Sequence, residues 1–287
     1  MPGPRMDVIL ATASTLPRPD EDDPPLRAAL AALGVPARTC AWDDPAVDWA
    51  QARLCVIRST WNYVRSYERF LDWIDSCAAV SRLWNPAPIV RWNSHKRYLL
   101  ELAQAGLPVV PTRLVPAGGA ADLARLARDF GDVVIKPAVS AGSFGTRRIA
   151  RADVATAGQA HLDQLLAGGH DVLVQPFLSS VETYGERALV WIDGALTHAV
   201  RKSPRFAGDQ QRISEAVSIA PDEAALAESI LAAVVRQPLL YARVDLARDE
   251  RGRPCVMELE LIEPSLFLDR SPAALARLAA AIKRLAG

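Results

Sequence analysis

The stretch Val133–Thr146, VVIKPAVSAGSFGT, constrains this chain more than any other. Val133, Val134 and Ile135 form a β-branched run that reads as a buried strand. The run ends in Lys136, whose ammonium is too costly to bury unpaired, so it must face a cleft or an anion. In the loop that follows, Ser140, Ala141, Gly142, Ser143 and Gly145 put almost no bulk between the backbone and a ligand. Gly142 and Gly145 can take positive φ, which lets successive N–H groups converge on a phosphate oxygen. The pattern is neither GxxxxGK[ST], since the lysine precedes the glycines, nor a GxGxxG after a first strand. The alternative is a hairpin turn carrying a surface lysine.

The chain has 287 residues, enough for one large or two to three small lobes. Half of them are apolar, which argues against disorder. A net charge of zero argues against non-specific binding to nucleic acid or to anionic membranes, so the expected partner is a small molecule. The opening MPGPRMDVILATAS fits neither a signal peptide nor a spanning helix. Cys40, Cys55, Cys77 and Cys255 form no CxxC, as expected for reduced thiols in the cytoplasm. The four histidines lack HxxxH or HExxH spacing, so a zinc site is not expected.

Val8–Ala11 reads as a strand, Pro24–Leu33 as a helix closed by Gly34, and Leu54–Ile57 as a second strand. This is the pattern of a small parallel α/β lobe, in which ligands gather at the carboxyl ends of strands. Arg58-Ser59-Thr60-Trp61-Asn62-Tyr63 stands at such an end and is crowded with donors. Arg58, Ser59, Asn62 and Tyr63 are therefore candidate substrate contacts. The alternative is that Trp61 and Tyr63 pack under the next helix, Tyr67–Val80. Pro86, Pro88 and Asn93 mark a boundary, after which Ser94 is expected to cap a helix through Ala105. Lys96 falls in its first turn, where a helix start already favours anions; taken alone it reads as a solvated surface charge.

Further on, Leu107–Val115 reads as strand and Ala120–Phe130 as helix. Strands at Val133–Lys136 and Arg147–Ala150, a helix at about Val154–Leu166 and a strand at Val172–Gln175 complete the middle of the chain. Asp193-Gly194 between Ala188–Ile192 and Ala195–Val200 is a strong hairpin signal. Arg201, Lys202 and Arg205 would repel one another unless an anion or solvent separates them; an exposed basic turn is the alternative. Tyr241–Leu246 and Pro254–Leu261 flank another turn. Alternation puts Arg243 and Asp245 on one face, joined by Glu258 and Glu260 from the partner strand, with Met257, Leu259 and Leu261 towards the core. Three carboxylates on one face need something cationic between them, and oxygen-only ligands suit Mg²⁺ beside nucleotide phosphates. A solvated acidic face is the alternative. Ser271-Pro272 is a clean helix start, running to about Leu285.

Taken in order, these parts resemble the ATP-grasp superfamily over about Asn93–Asp269, in its glutathione-synthetase-type branch. RSTWNY, WNSHKRYL and ELELIEPSLFL are similar to the D-cycloserine-forming ligases and their relatives. The resemblance implies an α/β fold, α+β in the ATP-binding lobes. It divides the chain into a pre-ATP-grasp lobe on the substrate side (1–93), a central lid lobe (94–178) and a C-terminal lobe with the metal site (179–287). It implies that Lys96 and Lys136 hold the α/β-phosphates of ATP. The loop through Ser140, Gly142, Ser143, Phe144 and Gly145 would close over the triphosphate. Gln175, Pro176, Phe177 and Leu178 would form the hinge beside adenine, and Glu182 would bind the ribose. Arg243 would stabilise the transferred phosphoryl group, while Arg201 and Lys202 would meet the γ-phosphate or an acyl phosphate. Asp245, Glu258 and Glu260 would carry two Mg²⁺ ions, with Mn²⁺ able to substitute, and Ser265 would join the substrate contacts. One departure stands out: the superfamily often has Asn where Glu260 stands, so Glu260 could instead face a substrate ammonium. The implied reaction is ATP-dependent carboxylate–amine ligation through an acyl phosphate, with cyclisation of a ureido amino acid as one candidate. A kinase on the same scaffold and a non-catalytic nucleotide-binding module are the rivals, and a homodimer suits the architecture.

Overall fold

The computed structural model describes residues 6–203, 212–234 and 237–287. These build three four-stranded sheets that follow one another along the chain. The first contains β1 (Met6–Thr12), β2 (Ala37–Ala41), β3 (Ala52–Ser59) and β4 (Arg82–Trp84), in the order β2-β1-β3-β4 and parallel throughout. Helices α1 (Asp23–Ala32) and α2 (Tyr67–Val80) connect them. In α2 the buried positions Phe70, Trp73, Ile74 and Cys77 recur at helical spacing, which gives it one apolar face. The strands and helices read from this half of the sequence are present. β2 had not been expected, because ARTCA is half-buried along its whole length and shows no alternation.

The helix expected over Ser94–Ala105 shortens to α4 (Tyr98–Gln104), and a separate helix, α3 (Ala87–Asn93), precedes it. Pro86 and Pro88 do not end an element here; their fixed φ opens α3. Ser94 closes α3, its hydroxyl donating back to the Arg91 carbonyl at 2.9 Å. Lys96 falls between the helices because its N–H donates to the Ala138 carbonyl, 2.8 Å away, rather than along a helix.

The second sheet holds β5 (Arg113–Val115), β6 (Val133–Pro137), β7 (Arg147–Ile149) and β8 (Val172–Pro176), antiparallel in the order β5-β8-β6-β7. It is backed by α5 (Leu123–Leu126) and α6 (Gln159–Ala167). The strand expected over Leu107–Val115 shrinks to its last three residues, since Pro108 and Pro111 have no N–H for a ladder. The helix expected over Ala120–Phe130 is one turn. Asp122 caps it, and beyond buried Leu123 and Ala127 no fully buried residue follows to hold further turns.

The third sheet holds β9 (Glu186–Ile192), β10 (Ala195–Lys202), β11 (Tyr241–Arg248) and β12 (Pro254–Glu260), antiparallel in the order β10-β9-β11-β12. The Asp193-Gly194 turn has φ of +46° and +91°, as a tight hairpin between right-twisted strands requires. Around the sheet lie α7 (Ser180–Thr183), α8 (Pro221–Val234), which the sequence reading lacked, and α9 (Pro272–Ala286). Ser271 caps α9 by accepting from the Ala274 N–H, as expected. The β11–β12 register slips between Asp245 and Leu246, so Met257 sits at a bulge, half-buried, and Val256 takes the core position expected of Met257.

One core joins Val8, Leu10 and Val56 of the first sheet to Val190, Ile192 and Tyr241 of the third, with α9 packed over both. β12 is the edge strand of its sheet, and side chains from earlier in the chain satisfy that edge. Asn93 donates to the Leu259 carbonyl at 2.8 Å and accepts the Leu261 N–H at 2.8 Å. The Tyr98 hydroxyl accepts the Leu259 N–H at 3.0 Å. The Val256 N–H donates to the Pro108 carbonyl, and its own carbonyl accepts from the Val110 N–H, each at 2.9 Å. Orphaned buried backbone groups are expensive. Asn93→Ala is therefore expected to lower the unfolding free energy by about 2–4 kcal/mol in urea titrations; a change below about 0.5 kcal/mol would show that the edge does not depend on it.

Candidate active site

Cross-strand pairing sets one end of the site. Arg243 stands opposite Glu260 and Asp245 opposite Glu258 on the same face of β11 and β12, as alternation predicts. Across β9 and β10, Lys202 stands opposite Glu186. Asp245 is fully buried. Its two oxygens accept from Arg243 Nε and Nη2, both at 2.8 Å, and Lys202 Nζ adds a third bond at 2.6 Å. Lys202 also pairs with Glu186 at 2.5 Å, and Arg243 Nη2 with Glu260. Burial alone would raise the Asp245 carboxyl, but Arg243 and Lys202 outweigh it and hold the group well below the usual carboxylate range. Burial likewise works against the Lys202 ammonium, yet Asp245 and Glu186 keep it above the ordinary lysine range. Glu260 is pushed up to about 7, by burial first, against the pull of Arg243.

The other end is made of lysines and the glycine loop. Lys96 is buried; its Nζ donates to the Ser140 carbonyl at 2.6 Å and hydroxyl at 3.1 Å, and pairs with Glu258 at 3.0 Å. Lys136 is 8% exposed and, among the described residues, its ammonium has neither a hydrogen bond nor an ion pair. Burial lowers its pKa, and nearby Lys96 and Lys202 add to the effect against the attraction of Glu258 and Glu186. A buried ammonium in this condition calls for an anion. In the loop beside it Gly142, Ser143 and Gly145 have φ of +59°, +66° and +66°. A Cβ at Gly145 would lie 2.8 Å from Pro137 Cγ, so the loop folds tightly onto the strand end. Phe144 is exposed at the loop's tip.

Asp245, Glu258 and Glu260 share a face, yet among the described residues no three acidic, histidine or cysteine side chains converge into a metal cage. Each carboxylate is matched to a cation: Asp245 to Arg243 and Lys202, Glu258 to Lys96, Glu260 to Arg243. Mg²⁺ needs only one or two carboxylates when phosphate and water complete its shell, so the donor set is compatible with it.

The remaining sequence candidates divide. Gln175 is buried and donates to the Thr112 hydroxyl; Pro176 ends β8, and the Phe177 N–H is held by the Asp132 carbonyl, with Leu178 following. Glu182, on α7, is paired with Arg148 at 2.6 Å, and that arginine lies over the Phe177 ring. Arg201 is not brought into the cluster. Strand alternation sends it to the face opposite Lys202, where it is exposed and donates to the Thr183 carbonyl. Arg205 lies outside the described residues. Arg58 is buried over the Tyr241 ring, donating to the Pro264 carbonyl at 3.0 Å and facing Asp22 at 3.4 Å. Ser59 bonds Thr12, and Asn62 is shared between Trp42 and Asp43, so both are tied within the first sheet's surroundings. The Tyr63 ring stacks on Phe70, as the packing alternative held. Ser265 presents its carbonyl to Arg243 and its hydroxyl to Arg18.

Sequence reasoning missed Glu186, Glu263 and Arg18. Glu186 was signalled by its place opposite Lys202 in the hairpin. Glu263 stands three residues past Glu260 and is pushed up to about 8, first by burial and then by Glu260. Nothing in the sequence around Arg18 marks it.

Solved structures with this architecture are ATP-grasp proteins. A RimK-domain ATP-grasp protein from Sphaerobacter thermophilus superimposes with a TM-score of 0.69 over 96% of this chain and 98% of its own, at 21% identity. D-alanine–D-alanine ligase from Bacillus anthracis gives 0.70 over 98% and 97%, at 13% identity. These define the class by fold. Residues 8–85 match the family model described as D-cycloserine synthetase DcsG, N-terminal domain. The cycloserine biosynthesis protein DcsG of Streptomyces lavendulae is 36% identical over 96% of both chains. A crystal structure of D-cycloserine synthetase DcsG gives a TM-score of 0.87 at 34% identity, over 97% of this chain and 99% of that one. The chain belongs to the DcsG family of ATP-grasp proteins and is an ATP-dependent ligase. Among the described residues no helix is long and apolar enough to cross a membrane.

Removing Asp245 would leave two buried cations unmatched. Asp245→Ala is expected to cost about 3–5 kcal/mol in denaturant unfolding at neutral pH. Because the folded-state pKa is depressed, the stabilisation from this carboxylate is present above its ordinary pKa and lost as pH falls through the folded value. The gap between wild type and variant should therefore narrow on strong acidification; a constant gap would separate Asp245 from that pH dependence.

Proposed function

We propose that this ligase joins a carboxylate to an amine on a small amino-acid-like substrate, releasing ADP and phosphate, and that cyclisation of a ureido amino acid to a cycloserine-type ring is one form of it. The observation that carries the reading is Lys136, a buried ammonium without a partner, beside Lys96 and a loop with three residues at positive φ. This is an anion cradle facing a cationic pair on the opposite sheet. The 36% identity to a cycloserine biosynthesis protein supports the substrate class.

In this reading Lys96 and Lys136 hold the α/β-phosphates of ATP, and the loop from Ser140 to Thr146 closes over the triphosphate and excludes water. Residues Gln175 to Leu178 hinge beside adenine, with Glu182 towards the ribose once it exchanges Arg148 for the hydroxyls. The substrate carboxylate attacks the γ-phosphorus, the bond to the ADP oxygen breaks, and an acyl phosphate forms. The amine then adds to the acyl carbon and phosphate leaves. Arg243 and Lys202, already oriented by Asp245, neutralise charge on the transferred group's oxygens, where it develops. Mg²⁺ held by Asp245, Glu258 and Glu260 with phosphate oxygens would supply further neutralisation. No side-chain nucleophile is required. The three lobes at 1–93, 94–178 and 179–287 would supply substrate contacts, lid and metal-side residues in turn, in a cytoplasmic enzyme.

Three outcomes test this. Release of ADP and phosphate from ATP·Mg²⁺ should require both a carboxylate and an amine in a panel of amino acids and ureido amino acids; a stable phosphorylated product from a single substrate would make the protein a kinase. Lys136→Ala should weaken ATP binding by about 1–3 kcal/mol in calorimetry, the worth of a charge-assisted bond. Glu258→Gln should keep its fold by circular dichroism and lose Mg²⁺-dependent turnover.

A further inference from the structure

The segment Glu263-Pro264-Ser265, just past β12, is fixed at three successive carbonyls. Trp61 Nε1 donates to the Glu263 carbonyl at 2.9 Å, Arg58 Nη2 to that of Pro264 at 3.0 Å and Arg243 Nη1 to that of Ser265 at 3.1 Å. Arg18 Nη2 holds the Ser265 hydroxyl at 2.7 Å. The backbone is thus held from both the first and third sheets. Yet the Glu263 carboxylate itself, half-buried, has no cation and no hydrogen-bond donor from another side chain among the described residues. Burial first, then Glu260 and Glu258, oppose its charge, while Lys96 and its own backbone N–H act the other way.

A second observation points at the same place. Tyr63 is 4% exposed, its ring locked on Phe70, and its hydroxyl has no hydrogen-bond partner among the described residues. Tyr63 stands two residues past Trp61, which holds the Glu263 carbonyl; burial first, and then the charges of Glu263, Glu258 and Glu260, push its hydroxyl up.

We propose that Glu263, with the Tyr63 hydroxyl, forms the subsite that takes the ammonium group of the substrate and so makes the enzyme selective for amino acids over simple carboxylic acids. An ammonium presents three donors, and a carboxylate and a phenol oxygen offer it acceptors that no other side chain occupies among the described residues. It would relieve both the burial and the repulsion at Glu263, while the substrate's carboxylate lies towards Arg243 and Lys202. The subsite rests on the amino-acid reading of the substrate given above.

The test compares D-cycloserine, which carries an amino group on its ring, with isoxazolidin-3-one, which lacks only that group. Each is titrated by calorimetry into the full chain with ADP and Mg²⁺. Wild type should bind D-cycloserine about tenfold to a hundredfold more tightly, the range expected of a charge-assisted contact. Glu263→Gln should lose most of that preference, with ADP affinity and melting temperature unchanged, and Tyr63→Phe should lose part of it. Equal binding of the two compounds by wild type, or a preference surviving in Glu263→Gln, overturns the subsite and leaves the ligase reading standing. Binding of neither compound by a protein that still binds ADP overturns the substrate class, and the subsite falls with it.

Discussion

Buried charge is the constraint from which this structure is organised. Asp245 is fully buried, and it is stable there because Arg243 meets both of its oxygens and Lys202 adds a third bond. Such a group contributes little net stability compared with an apolar replacement, but removing one member strands the others. What the triad gives is geometry. A guanidinium bound bidentately to a carboxylate cannot swing, so the edge of Arg243 that also reaches Glu260 and the Ser265 carbonyl has a fixed direction. Electrostatic catalysis needs that property, because a donor oriented before the reaction pays no reorganisation cost during it.

The second condition is that β12 stay in register. A one-residue slip would turn Glu258 and Glu260 away from Arg243 and Asp245. As an edge strand β12 is exposed to that hazard, and the fold answers it with Asn93, Tyr98 and the extended segment around Pro108–Val110. Asn85 does the same where the strands leave the sheet, donating to the Tyr241 and Leu261 carbonyls and accepting the Leu240 N–H. The helices of the first third of the chain therefore hold the register of an acidic hairpin more than 150 residues later, as the separation of Asn93 and Leu259 shows.

What could be read from the sequence was whatever local periodicity encodes. Period-two alternation placed Arg243, Asp245, Glu258 and Glu260 on one face, and the Asp-Gly turn placed a hairpin before them. The strand-plus-loop at Lys136 was legible because a lysine ending a β-branched run is costly without a ligand. Illegible were features decided by distant partners. The split of α3 from α4 depends on a bond from Lys96 to Ala138, and the bulge at Met257 on the register of β11. Arg201 shows the limit of reading charge runs: adjacent cations on a strand must face opposite ways, and only Lys202 reaches the site. Tyr63 shows another, since its ring belongs to the core, stacked on Phe70.

The two ends of the site handle charge by different means, and that difference follows from what each must bind. On the third sheet Arg243 and Lys202 each have a carboxylate within hydrogen-bond reach, so both are saturated without a ligand. On the second sheet Lys136 is left unmatched beside a loop with three residues at positive φ. An unmatched cation is stabilised by any anion that enters, whereas a matched one gains only from an anion that develops charge near it in place of its partner. The lysine end is therefore suited to holding a polyanion in the ground state. The arginine end is suited to the moment when charge shifts onto a transferred group. The two ends thus stand on separate sheets, joined by the segment after β8.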